Sequence, residues 1–238
     1  MMHMTEAERL KRVEDFQRNL FIVSGNAAFA NSAKREADHI RLLAKAVSEP
    51  GWPLMRMYSD LGLAGNPGVA AKEKLLADGM AREHKLVRKG SGGQLLALEV
   101  LPRGLEIVRR MGLPVVELEG KGEFKHKVYV HRYLIPWAKK RKYRYWIERW
   151  FEPKQIDFVY EDQYQQLFAV EVCLSGSVEY NANAGVKCAS LAGISQVVLA
   201  CEDRKLIIGI KKMLSNEMMS VQNKIQVMSL GEFSCVDA

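Results

Sequence analysis

Five cations fall within six positions in the run Lys139-Lys140-Arg141-Lys142-Tyr143-Arg144-Tyr145-Trp146, with aromatic residues interleaved. Cations neutralise phosphates and aromatic faces stack on bases, so the run has the chemistry of a nucleic-acid surface. A solvated helix end passing into a strand with one buried face would produce the same letters. Two histidines, His126 and His131, are five residues apart, which puts them on different sides of a helix. No cysteine or acid cluster completes four ligands around them, so they read as surface or phosphate-contact residues and not as a zinc site. The four cysteines, Cys173, Cys188, Cys201 and Cys235, contain no CxxC pair and read as reduced thiols.

The charge balance of the 238-residue chain leans the same way as the basic run. Lys and Arg number 35 against 28 Asp and Glu, a formal net charge of +7, which suits a polyanionic partner better than a cationic one. The length suggests two domains, and with 48% hydrophobic residues there is enough apolar material for two cores. Glu6, Glu8 and Glu14 precede the short apolar patch Leu20 to Val23, the reverse of a secretory signal, and no apolar run approaches the roughly 20 residues that span a bilayer. The expectation is a cytoplasmic protein without membrane association.

The elements of the first half follow from periodicity. Ile40, Leu43, Ala44 and Val47 share a helical face before Pro50-Gly51. Leu54, Met57, Tyr58 and Leu61 repeat the spacing up to Gly62, and a third helix starts at Asn66-Pro67, with Asn66 as N-cap and Pro67 at the first helical position. His84 to Lys89 and Gln94 to Val100 then read as strands around the flexible tip Gly90-Ser91-Gly92-Gly93, and Pro102 opens a helix, Arg103 to Met111, closed by Gly112. Three helices, a two-stranded wing and a helix, over about residues 35 to 113, resemble a winged helix-turn-helix. That resemblance implies a third helix in the major groove and a wing reaching phosphates or the minor groove. Lys72 and Lys74 on the third helix, with Arg88 and Lys89 beside the wing tip, would then contact DNA. Upstream, Ala7 to Val23 is a helical stretch that serves either to pack on this domain or to pair two subunits as a homodimer.

In the second half Glu117 to Lys125 reads as a linker, followed by a helix from Val128 to Lys140 interrupted near Pro136. Strands are expected at Tyr143 to Phe151, Ile156 to Tyr160 and Leu167 to Leu174, then a helix Tyr180 to Leu191, a strand Ser195 to Cys201 and an amphipathic helix Arg204 to Leu214. This αβββαβα order fits a sandwich around a central sheet.

Ile156-Asp157, then Ala169-Val170-Glu171-Val172-Cys173, then a helix carrying Asn183 and Lys187, resemble the PD-(D/E)XK, or restriction-endonuclease-like, superfamily. From Asp157 to Leu214 the chain is similar to C-terminal domains that accompany winged helices in plasmid and integrative-element proteins, including the replication-relaxation type. The resemblance implies that Asp157 and Glu171 hold Mg²⁺, while a lysine two residues beyond the glutamate stabilises charge or orients water. Clustered carboxylates suit a hard divalent cation, and phosphodiester cleavage needs activated water beside positive charge. Strand alternation puts Cys173 at that lysine position. Lys187 is the sole cation between Val172 and Arg204 to replace it, and Glu148 offers a further carboxylate, with Glu152 a poorer one.

The whole reads as an α+β chain: an N-terminal helical extension (1-34), a winged helix (35-116), and an α/β/α restriction-endonuclease-like domain with a central mixed sheet (126-238). The missing lysine favours a DNA-binding protein of a mobile element or defence system, working with partner proteins, whose nuclease-like domain binds or recruits without cutting. The alternatives are an active Mg²⁺-dependent DNA endonuclease using Asp157, Glu171, Lys187 and Glu148, and a winged-helix transcription regulator.

Overall fold

A computed structural model describes residues 27–88, 94–217 and 219–234. The upstream stretch Ala7 to Val23, the homodimer contact assigned to it, Lys89 with the glycine-rich tip, and Cys235 lie outside the described residues. The chain is α+β, with a two-stranded sheet and a five-stranded mixed sheet, and it divides into two compact units.

The first unit comprises the described residues up to Lys85 together with Leu96–Glu117. Helix α1 (Ala27–Ser48) is followed by α2 (Leu54–Asp60) and α3 (Asn66–Ala77), then strands β1 (Ala81–Val87) and β2 (Gln94–Val100), then α4 (Pro102–Arg110). Leu42, Leu43 and Val47 of α1, Met57 of α2, Leu75 of α3, Leu98 of β2 and Val108 of α4 meet in one apolar core. The start of α3 differs from the sequence expectation by one residue. Gly65, at φ 77, is the cap and Asn66 already belongs to the helix, because glycine alone enters that backbone region freely. Gly79, at φ 65, ends the same helix so tightly that β1 begins at Ala81, three residues before the alternation suggests.

The second unit comprises Leu118 onward together with Leu86–Leu95 at the far end of the hairpin. Within it, the Val87 N–H donates to the Tyr129 hydroxyl at 2.9 Å, and the Tyr133 hydroxyl donates to the Val87 carbonyl at 2.7 Å. The expected long helix is divided: α5 (Phe124–Tyr129), a π-helical turn (Val130–Leu134) and α6 (Ile135–Lys140). Pro136 lacks an N–H for the ladder, so the backbone widens in the turn just before it.

Strands β3 (Arg144–Phe151), β4 (Lys154–Glu161) and β5 (Leu167–Cys173) pair antiparallel in sequence. Helix α7 (Val178–Ala189) leads to β6 (Ile194–Cys201), and α8 (Arg204–Leu214) leads by way of a short α9 (Met219–Gln222) to β7 (Ile225–Ser229), both strands parallel to their neighbours. Parallel neighbours need such crossovers, and these are helical. The sheet order is β3-β4-β5-β6-β7, so β3 and β7 are its edges. Val159, Ala169, Val197 and Leu199 pack with Ala182, Cys188 and Ile210 of the crossover helices. Across the sheet, Tyr143, Tyr160 and Phe168 stack in parallel, with centroids 5.4 and 4.7 Å apart, and Trp137 and Phe233 close that aromatic cluster.

Candidate functional site

Two places carry the residues singled out by type. The first is the row of acids across β3, β4 and β5. The pairs Phe158–Val170 and Val159–Ala169 set the register of β4 against β5, and continuing it by one brings Asp157 opposite Glu171. On the other side of β4, Glu148 lies between the pairs Ile147–Phe158 and Arg149–Ile156, and so faces Asp157. Its φ of 52 turns it into the left-handed region. Glu148, Asp157, His126, Gln155, Lys121 and Gly122 line a cavity of about 200 Å³.

Each of the two central carboxylates is held by protein groups. Asp157 Oδ2 accepts from the Val172 N–H at 2.9 Å and lies 3.1 Å from His126 Nε2. Its hydrogen bond to the imidazole, outweighing burial, raises the His126 pKa above that of an ordinary histidine. Lys154 Nζ lies 3.2 Å from Glu171 Oε1 and donates to Cys188 Sγ at 3.1 Å, and that thiol donates to Glu171 Oε1 at 3.4 Å. The Glu171 side chain is only 14% exposed. Burial, then the charge of Asp157, push its pKa up to about 7 against the opposing pull of Lys154. Burial would lower Lys154, but Glu171 and Cys188 outweigh it and leave its pKa raised. Burial and Glu171 together push the Cys188 thiol up to about 12, so it stays protonated and unreactive.

Lysine therefore reaches the glutamate, but from neither expected position. Cys173 is buried, and its thiol pKa is raised by its interaction with Cys201, its partner across β5 and β6, and by burial. Lys187 is exposed on α7, and its neighbour Cys188 is the α7 residue that meets Glu171. Sequence reasoning passed over Lys154 because it precedes the strand expected at Ile156 to Tyr160; β4 begins at Lys154 itself, where alternation sets 154 and 157 on opposite sides. A long side chain on the first residue of a strand escapes that rule. It also assigned His126 to the surface, whereas its side chain is 18% exposed and engaged with Asp157. His131 lies within hydrogen-bond distance, 2.9 Å, of the Glu119 carbonyl.

No protein-family model, curated protein or solved structure matches the chain. Among the described residues, no group of three or more His, Cys, Asp or Glu is placed to hold a metal ion. One oxygen of each acid is taken up by protein groups: Asp157 Oδ2 faces an N–H and an imidazole, and Glu171 Oε1 an ammonium and a thiol. As arranged, the two acids and their neighbours do not form a ligand cluster of the size a metal ion requires.

The second place is the turn between α6 and β3. Lys139, Lys140, Arg141, Lys142 and Arg144 are all exposed there, and Lys142, at φ 60, turns the chain into the strand. Arg141 lies 4.4 Å over the Trp137 ring and donates to the Trp137 carbonyl, and Arg144 is 3.1 Å from Glu161. Lys139, Lys140 and Lys142 have no acid partner among the described residues. The interleaved aromatics are engaged inside: Tyr143 in the stack on Tyr160, Tyr145 against Phe158, and Trp146 with Arg144 and Arg149.

The cations of the first unit differ. Lys72 is 13% exposed, 2.6 Å from Glu83 and 2.9 Å from Glu73. Lys74 is 3.3 Å from Asp78. Arg88, which belongs to the second unit, is half-buried. Lys72 and Lys74 thus each have acid partners. No helix among the described residues is long and apolar enough to cross a membrane.

Proposed function

We propose that the chain is a DNA-binding protein of a mobile element or defence system, whose nuclease-like second unit binds or recruits and does not cut. The observation that carries the reading is the set of exposed cations Lys139, Lys140 and Lys142, without an acid partner among the described residues, at the α6–β3 turn. Exposed ammonium groups held on one turn displace counterions from a polyphosphate backbone, and that release drives association.

Resemblance supports the rest. Three helices, a hairpin and a fourth helix agree with a winged helix-turn-helix. Three antiparallel strands, a crossover helix and a parallel strand, with Asp157 and Glu171 on neighbouring strands, agree with the restriction-endonuclease-like superfamily. Inactivity is favoured because both acids are engaged with protein groups, Cys173 lies in the core and Lys187 points to solvent. An active Mg²⁺-dependent endonuclease is the second reading, and the ammonium of Lys154 beside Glu171 is what favours it.

The test is retardation of labelled DNA across a salt series, with a parallel incubation of supercoiled and branched DNA in Mg²⁺ or Mn²⁺. Binding that weakens steeply with salt and no cleavage is the expected result. No binding to any DNA at low salt refutes the proposal. Metal-dependent cutting that vanishes in Asp157→Ala and Glu171→Ala replaces it with the second reading.

A further inference from the structure

The chemistry of the α6–β3 turn also bears on which form of DNA it takes, an inference that rests on the DNA-binding reading. Proteins that grip single strands combine cations with aromatic faces on which bases stack, and the stacking supplies much of the affinity. In this run the two components are separated. The cations Lys139, Lys140 and Lys142 face solvent, while Tyr143 is stacked on Tyr160, at an interplanar angle of 8°, and Tyr160 on Phe168, at 4°. Trp137 packs edge-on against Tyr143, Tyr160 and Phe233, and the Arg141 guanidinium covers its ring. Tyr145 is stacked on Phe158 and Trp146 is flanked by Arg144 and Arg149, so each half-buried ring of the run already has a partner in the protein.

We infer that the turn grips double-stranded DNA through its phosphates alone, with no preference for sequence and no base stacked on its aromatic residues. A site limited to charge favours the form with the higher charge density, and the duplex carries a phosphate about every 1.7 Å of axis. Trp150 is exposed at the far end of β3, about 20 Å along the strand from Arg144, and the exposed ring nearest the paired strand end is Tyr164, in the β4–β5 turn beyond Glu161, the partner of Arg144. Its turn is closed by Asp162, whose carboxylate accepts from the Tyr164 and Gln166 N–H groups, and an acid there repels phosphate. Tyr164 is therefore outside the binding surface.

Fluorescence anisotropy of the full chain with two unrelated duplexes and an oligo-dT of equal length tests this. The duplexes should bind within about twofold of one another and at least about tenfold more tightly than oligo-dT at the same salt. The triple variant Lys139→Ala, Lys140→Ala, Lys142→Ala should lower the slope of log affinity against log salt by about 2.7, three phosphates at about 0.9 each. Tyr164→Ala should change duplex affinity less than twofold. Tighter binding of oligo-dT, or loss of binding in Tyr164→Ala, overturns the inference and leaves the DNA-binding reading standing. Duplex binding unchanged in the triple variant overturns the inference by removing the turn from the surface. Absence of binding to all three probes is the failure of the reading itself.

Discussion

Glu171→Gln should gain about 2 to 3 kcal/mol of stability on the parent as pH rises from about 5 to about 8. Burial and the neighbouring Asp157 raise the folded Glu171 to about 7, whereas an unfolded glutamate titrates near 4.3. Between those values the unfolded chain releases its proton and the folded chain keeps it. The protonated carboxyl therefore contributes stability that is full at low pH and is lost as pH rises to about 7 and beyond. From pH 5 to pH 8 the loss amounts to about 2 to 3 kcal/mol. Glutamine resembles the protonated acid at every pH and removes that decline. At pH 5 the parent also presents Lys154 with a largely neutral partner, so any cost of the weakened ion pair appears in both proteins and cancels. Urea denaturation followed by tryptophan emission at the two pH values measures the difference. If parent and variant lose stability in parallel as pH rises, Glu171 is not the titrating group and the account of the acid row is wrong.

Two further outcomes test the packing, one in each unit. Cys173→Lys, the change that would restore a lysine in the resemblance, should destabilise the protein by more than about 3 kcal/mol and create no nuclease, because the site is in the core beside Cys201. A denaturation midpoint equal to the parent's would refute this. Gly68→Ala, which helix propensity alone would favour by about 1 kcal/mol, should instead cost about 1 to 3 kcal/mol. The added Cβ would lie 2.5 Å from the Leu63 carbonyl oxygen and 2.7 Å from Tyr58 Cγ, and the sign of the measured change decides between the two effects.

Period and turn chemistry made most elements legible. Strand β2 and helix α8 have the boundaries read from the sequence, because Gln94–Val100 is bounded by glycine and proline and Arg204–Leu214 carries a clear apolar face. Strand β7 was not read, since Ile225–Ser229 is short and its pairing with β6 depends on a crossover rather than on its own letters. The acids Asp157 and Glu171 were named through the resemblance, and the short turn between β4 and β5 sets them opposite one another. What holds them was not legible, because the approach of His126 from α5 and of Cys188 from α7 is set by how helices pack on the sheet. The basic run was half legible. Its charges are exposed as composition suggests, but nothing local distinguishes a tyrosine available to a base from one stacked on Tyr160.

The left-handed residue at Glu148 has a consequence for self-association. Strand β3 is an edge of the sheet, and an unpaired edge of eight residues is a template on which another chain can add a strand. The turn in the backbone at Glu148, φ 52, interrupts the flat run of donors and acceptors near its middle. It also lets Arg149 lie over both Trp146 and Phe151, at 4.2 and 5.0 Å, which strict alternation would set on opposite sides. An irregular edge carrying a guanidinium is a poor partner for an incoming strand, so the backbone turn at the residue that faces Asp157 also helps keep separate copies of the chain from joining edge to edge and aggregating.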